Sequence, residues 1–236
     1  AVENNYNITW PYWTAGSTED AEEIGKSLKE VVGMPVKVSN NYHTTKREPG
    51  VWIVETDGSL EPDDDEDGGR EIVSPPMPLD QALQKLNDVM EWANDPYQGN
   101  AYTNQSTGLH MGVSIPEKGG DVDYTKLILF MGDKYVLQKF GREANTFCKS
   151  ALDNMQSRVK SGQVDPTKVL QDMRNGLNDL ASAAVQGNVG TSKYTSAHIK
   201  PGYIEFRSPG GDYLAEVNVD MDALDSTMLR FARAMQ

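Results

Sequence analysis

Two side chains of opposite charge stand two residues apart near the end of the chain, Glu205 and Arg207, set among the strand formers Tyr203, Ile204 and Phe206. In a β-strand that spacing puts the carboxylate and the guanidinium on one face and Ile204 and Phe206 on the other. Ser208, Pro209, Gly210 and Gly211 then stop the strand, so the pair sits beside a loop, where binding groups tend to be placed. The plainer reading is a solvated ion pair on a half-buried strand, worth little energetically. His110 and Glu71 are two further candidates. His110 shares a strand face with Gly112 and Ser114, opposite Leu109, Met111 and Val113, and reads either as a hydrogen-bonded side chain or as a ligand. Glu71 enters a strand directly after an acidic run. Cys148 is the single cysteine, so no intrachain disulfide can form, and with nothing nearby to lower its pKa it reads as a buried thiol rather than a nucleophile.

The elements that must position these groups follow from periodicity. Residues 6–13 are aromatic and β-prone, with Pro11 confining that strand to an edge, an end or a bulge. Acids from Glu19 to Glu23 behind Ser17 or Thr18, then Ile24, Leu28, Val31 and Val32, predict a helix closed by Gly33 and Pro35. Short strands are expected at 36–38 and 51–54, with a turn at Asp57 and Gly58, and a third runs from Glu71 to Ser74, ended by Pro75 and Pro76. Leu79 to Trp92 is amphipathic. A strand over 108–115, a helix over 124–140, helices over 151–160 and 166–184, a strand pair over 194–207 and a closing helix over 221–235 complete the pattern. Strands and helices in this arrangement indicate an α+β fold with a mainly antiparallel sheet.

The 236 residues suffice for a sizeable core, and one domain over 1–236 is expected, with a flexible acidic loop over 61–69. That loop holds six acids in nine residues without calcium-ligand spacing, so it is read as a solvated face. Twenty-two basic against 35 acidic side chains give a formal charge of −13, which opposes nucleic acid and anionic lipid as partners. No stretch is apolar enough to span a bilayer and no signal-peptide layout opens the sequence, so a cytoplasmic location is expected, or host cytoplasm or virion if the chain is phage-encoded. Ala1 at the start is compatible with methionine removal, maturation or excision. There is no internal repeat, phosphate loop, dinucleotide fingerprint or paired-Cys zinc pattern.

Three segments, Arg70 to Pro76, Thr107 to Val113 and Tyr203 to Arg207, resemble in order and spacing the motifs of the amidoligase family, carboxylate–amine ligases with a glutamine-synthetase-like fold that many phages and bacteria encode. Trp52 to Leu60 is similar to the family's second strand and turn, and Arg142, Asn145 and Cys148 to a further stretch. The resemblance implies a curved sheet around a cavity for ATP, Mg²⁺ and a carboxylate substrate, where an acyl phosphate forms and an amine displaces phosphate. It also implies residue roles: Glu71, His110 and Glu205 as metal ligands, Arg207 with Glu205 at the reacting groups, Arg207 and Ser74 toward the nucleotide, and Asp57 as a weaker candidate. The partners would be a small carboxylate and a small amine, amino acid or peptide. The sequence departs from the pattern in two places. In the simplest register Thr9 and Pro11 replace the two glutamates of the family's opening strand, and Gly112 replaces a second histidine. The alternative expectation is therefore a catalytically degenerate amidoligase fold, with neither ATP nor metal, acting through protein partners as a structural or interaction protein such as a phage virion component.

Overall fold

Nine residues of alternating character form β1 (Val2–Trp10), and the alternation divides the first half of the protein into an oily face and a polar one. Tyr6, Ile8 and Trp10 are fully buried on one side, whereas Asn5, Asn7 and Thr9 lie on the other. The computed structural model describes residues 1–11, 18–41, 45–65, 67–115, 122–145, 148–162, 195–214 and 220–236. They form two compact units, 1–111 with 210–225, and 112–209 with 226–236.

In the first unit α1 (Thr18–Val32), β2 (Val36–Val38), β3 (Trp52–Thr56), β4 (Gly68–Val73), α2 (Leu79–Asn94) and the start of β5 (Leu109–Val113) come after β1. The strands lie in the order β2-β3-β4-β1-β5. β4 runs antiparallel to both β1 and β3, with Ile72 opposite Tyr6 on one side and Val54 on the other. β2 instead runs parallel to β3, so the sheet is mixed, where the sequence pattern indicated a mainly antiparallel one. The parallel pairing is carried by Trp52 N donating to Pro35 O and Ser39 N to Val54 O.

Both helices pack against each other and against strands of this unit, α1 on β2 and α2 on β1. The fit of α1 is close: a Cβ added at Gly25 would lie 2.5 Å from Val38 Cγ2. Trp10 and Trp92 meet at 6.2 Å between ring centroids, and Tyr6 stacks on Trp52 at 6.1 Å. Each buried aromatic ring of this kind removes enough apolar surface from water to stabilise the fold by roughly 1.5–3 kcal/mol.

The second unit contains α3 (Tyr124–Phe130), α4 (Asp133–Lys139), α5 (Ala151–Lys160), the hairpin β6 (Ala197–Lys200) and β7 (Tyr203–Phe206), and α6 (Met221–Met235) from residue 226 onward. β6 and β7 are antiparallel, with the turn passing through Gly202 at a φ of 84°, a conformation glycine adopts without strain. Phe206 stacks on Phe231 at 4.1 Å. A buried polar knot ties the helices to the hairpin. Asp133 Oδ2 accepts from Ser150 Oγ at 2.8 Å and Ser196 Oγ at 3.0 Å, while Ser150 Oγ caps α5 by accepting from Asp153 N.

Three sequence expectations differ from the structure. The helix over 124–140 is two helices, because Gly132 takes a φ of 63° between them. The opening strand begins at Val2 and ends at Trp10, so Pro11 lies beyond it in a turn. The acidic loop is held at several points: Asn104 Nδ2 donates to Asp63 Oδ1 at 2.8 Å, Ser106 Oγ accepts from Glu61 N, and Tyr102 Oη donates to Asp67, with Gly68 and Gly69 already in β4. The expected helix over 166–184 lies outside the described residues.

Candidate functional site

The polar face of the first unit gathers more chemistry than any single sequence motif suggests. Asn7 on β1 pairs with Glu71 on β4, and Glu71 pairs in turn with Glu55 on β3, so register places all three on one face. Two carboxylates thus stand side by side across neighbouring strands, both out of water: Glu55 is 0% exposed and Glu71 3%. Like charges directly opposite each other oppose pairing, and burial adds a desolvation cost, so each must be compensated. Glu71 Oε1 accepts from Asn5 Nδ2 at 2.9 Å, and Glu55 Oε1 accepts from Arg47 Nη2 at 3.2 Å.

The face continues around Asn7. Its Nδ2 donates to Asp57 Oδ2 at 2.7 Å, and Asp57 Oδ1 accepts from Ser59 N and Oγ, which fixes the turn after β3. His110 on β5 is half-buried and belongs to the same face. A Cβ added at Gly108 would meet His110 Nε2 at 2.9 Å and Asn7 Oδ1 at 3.3 Å, so the glycine leaves the space that imidazole and amide share. Thr9 Oγ1, also on this face, is buried without a hydrogen-bond partner among the described residues. The loop after β7 closes against this unit, with Tyr213 Oη donating to Asn7 O at 2.7 Å and Thr107 Oγ1 to Gly211 O at 2.7 Å. Ser74 lies just past β4, its hydroxyl accepting from Asn4 N, where it holds the strand end.

In the second unit the spacing of Glu205 and Arg207 has the expected outcome. Arg207 Nη1 donates to Glu205 Oε2 at 3.0 Å, and Lys200 Nζ lies 3.7 Å from the same oxygen. His198 is directly opposite Glu205 on β6. Arg142, buried, donates to the carbonyl oxygens of Arg207 and Pro209 and so fixes the segment beyond β7. Cys148 is buried in this unit. Burial pushes its thiol up to about 11, against the opposing influence of Arg142 and Arg207. It is a packing thiol, as its sequence context indicated.

Glu71, His110, Asp57 and Ser74 therefore lie in the first unit, and Glu205 and Arg207 in the second. Among the described residues, no three His, Cys, Asp or Glu side chains converge so as to hold a metal ion. No helix of the described residues is long and apolar enough to cross a membrane. Sequence reading missed Glu55, because it ended that strand at Val54. The available signal was an acid in phase with a run that is otherwise apolar, with Arg47 eight residues before it. On the opening strand Asn7 faces Glu71, and Pro11, one of the two positions set against the family's opening glutamates, lies outside the strand.

Comparison with protein families gives one match, to the family described as "putative amidoligase enzyme", over residues 18–216. Neither the curated proteins nor the solved structures compared with the chain match it.

Proposed function

Because the chain belongs to the amidoligase family, we propose that it catalyses the joining of a small carboxylate to an amine, amino acid or peptide amine, with the polar sheet face of its first unit as the working surface. The observation that supports this reading most is the buried pair Glu71 and Glu55, two acids held across neighbouring strands at an energetic cost that packing alone does not require. The reading calls for ATP and Mg²⁺, and ATP when bound supplies the leaving group, by turning the carboxylate into an acyl phosphate that the amine attacks. The described residues do not gather three metal-ligating side chains, and the roles assigned here are those of the chain's own groups in proton transfer and substrate orientation.

Amide formation makes a C–N bond, breaks the bond from the acyl carbon to the phosphate oxygen, and frees a proton from the amine nitrogen. A carboxylate is needed to take that proton. Glu71 fills this role, its other oxygen steadied by the Asn5 amide. His110 and Asn7, whose side chains meet over Gly108, orient a polar substrate group. In the second unit Arg207 offers a guanidinium for an anionic group, held in place by Glu205.

A second reading rests on a specific feature. The β1 positions that face Glu71 and its neighbours are Asn5, Asn7 and Thr9, which bring no carboxylate to the site. Hard cations depend on the number of carboxylates for affinity. That composition suits a degenerate member serving as an interaction or structural protein, such as a phage virion component. The two readings separate in a trapping assay, with hydroxylamine as the amine, Mg²⁺–ATP, and a panel of amino-acid carboxylates. ATP-dependent hydroxamate that disappears in Glu71→Gln supports the ligase. Absence of hydroxamate across the panel, together with no ADP release, selects the degenerate protein.

A further inference from the structure

At the turn end of the β6–β7 hairpin, wholly within the second unit, lies a cavity of about 200 Å³. Ile204 and Met235 close it from below and are almost fully buried, whereas Ile115, Tyr124, Ile199 and Tyr203 line it and keep part of their surface accessible. The walls therefore offer aliphatic and aromatic surface to an occupant. Gly202 stands beside the space without covering it, since a Cβ there would meet nothing within 4 Å.

Among the described residues, Lys200 is the one charged side chain that lines the cavity, and no acid does. Its Nζ lies 3.7 Å from Glu205 Oε2, beyond hydrogen-bond distance, and its side chain is 34% exposed. That carboxylate oxygen already accepts from Arg207 Nη1 at 3.0 Å. Two cations thus share one acid, which leaves a positive charge beside the cavity without a carboxylate of its own, in a chain of formal charge −13. An ammonium with three donors and no hydrogen bond among the described residues suits an anion.

Size and lining narrow the choice. A cavity of roughly 150 Å³ lined by apolar side chains holds benzene, so about 200 Å³ takes a phenyl ring and a short arm. It is below the range of nucleotide-sized or macromolecular sites. A polyphosphate would find one cation and apolar walls, and a cationic ligand would be repelled by Lys200. We propose that this cavity binds a small apolar carboxylate, with its compact hydrocarbon body between Tyr124, Ile199 and Tyr203 and its carboxylate at Lys200. The site stands apart from the ligase reading, because none of the residues given a role there lines it.

Titration of the full chain with 3-phenylpropanoate, without nucleotide, followed by calorimetry and by methyl NMR spectra, tests this. Saturable one-to-one binding is expected, with ring-current shifts at the methyl groups of Ile199, Ile204 and Met235. The neutral 3-phenylpropanamide should bind at least roughly fivefold more weakly, as loss of one partly exposed ion pair implies, and 3-phenylpropan-1-amine should not bind. Lys200→Gln should weaken the carboxylate to the level of the amide, Lys200→Arg should restore it, and Lys149→Gln, an exposed lysine of the same unit outside the cavity, should leave it unchanged. The proposal is overturned if the carboxylate gives no saturable signal, if amide or amine binds as tightly, or if the three methyl groups do not shift. It is equally overturned if Lys200→Gln and Lys149→Gln respond alike. The comparison of the three ligands needs no variant, and a thermal melt checks that each variant is folded.

Discussion

Glu205 and Arg207 show how much the surroundings decide the worth of an ion pair. Their side chains are 10% and 19% exposed, and the Arg207 Nε is buried without a hydrogen-bond partner among the described residues. Removing the carboxylate leaves a poorly hydrated guanidinium behind, and for a pair only partly screened from water Glu205→Ala should cost about 2 kcal/mol. By contrast Lys37→Ala, in a pair whose side chains are 47% and 42% exposed, should change stability by less than about 1 kcal/mol. Urea melts of the two variants provide the comparison, and equal small changes would place Glu205 and Arg207 among ordinary surface pairs. Gly108 is the other residue on which the first unit's polar face depends. Gly108→Ala forces the new methyl against His110 and Asn7, and overpacking of that kind costs roughly 1–3 kcal/mol. Displacement of the His110 ring resonances in an NMR spectrum of the variant would accompany the loss, and an unshifted ring would show that the space is not shared.

At the scale of elements, the junction of α1 with α2 includes a hydrogen bond that can be removed singly. Ser27→Ala deprives the Trp92 indole of its acceptor and should destabilise the protein by about 1–3 kcal/mol, read as a lower melting temperature. A variant that melts with the unchanged protein would mean that water or another group replaces the hydroxyl. Much at this scale was legible in the sequence, because periodicity reports burial directly. The strand at 36–38, the helices at 151–160 and 221–235, and the face shared by Glu205 and Arg207 coincide with the structure. What the sequence did not reveal was non-local. The parallel pairing of β2 depends on its register with β3, the break at Gly132 on one positive φ, and the partnership of Glu55 with Glu71 on a register between strands about sixteen residues apart along the chain. Asn7 became a site residue for the same reason: nothing in its neighbourhood along the chain indicates that it will lie opposite Glu71.

For the whole molecule, one buried thiol makes stability depend on pH in a defined direction. Cys148 ionises near 9.0 in an unfolded chain but only near about 11 when buried in the fold. Its contribution is intact below pH 9 and is lost as the pH rises from there toward 11, because the unfolded state then releases a proton that the folded state retains. Iodoacetamide at pH 8 should accordingly leave the folded protein unmodified and label Cys148 only after urea is added. Rapid labelling of the folded chain would contradict its burial. The membership of residues 18–216 in the amidoligase family and the paired buried acids of the polar face together make nucleotide-driven amide formation the reading to test. The most direct measurement is ADP release from Mg²⁺–ATP, with and without added amine and carboxylate, by the full chain and by Glu71→Gln. The account predicts amine-dependent release by the unchanged protein that is lost in the variant. Absence of release, or release unaltered by Glu71→Gln, would contradict it.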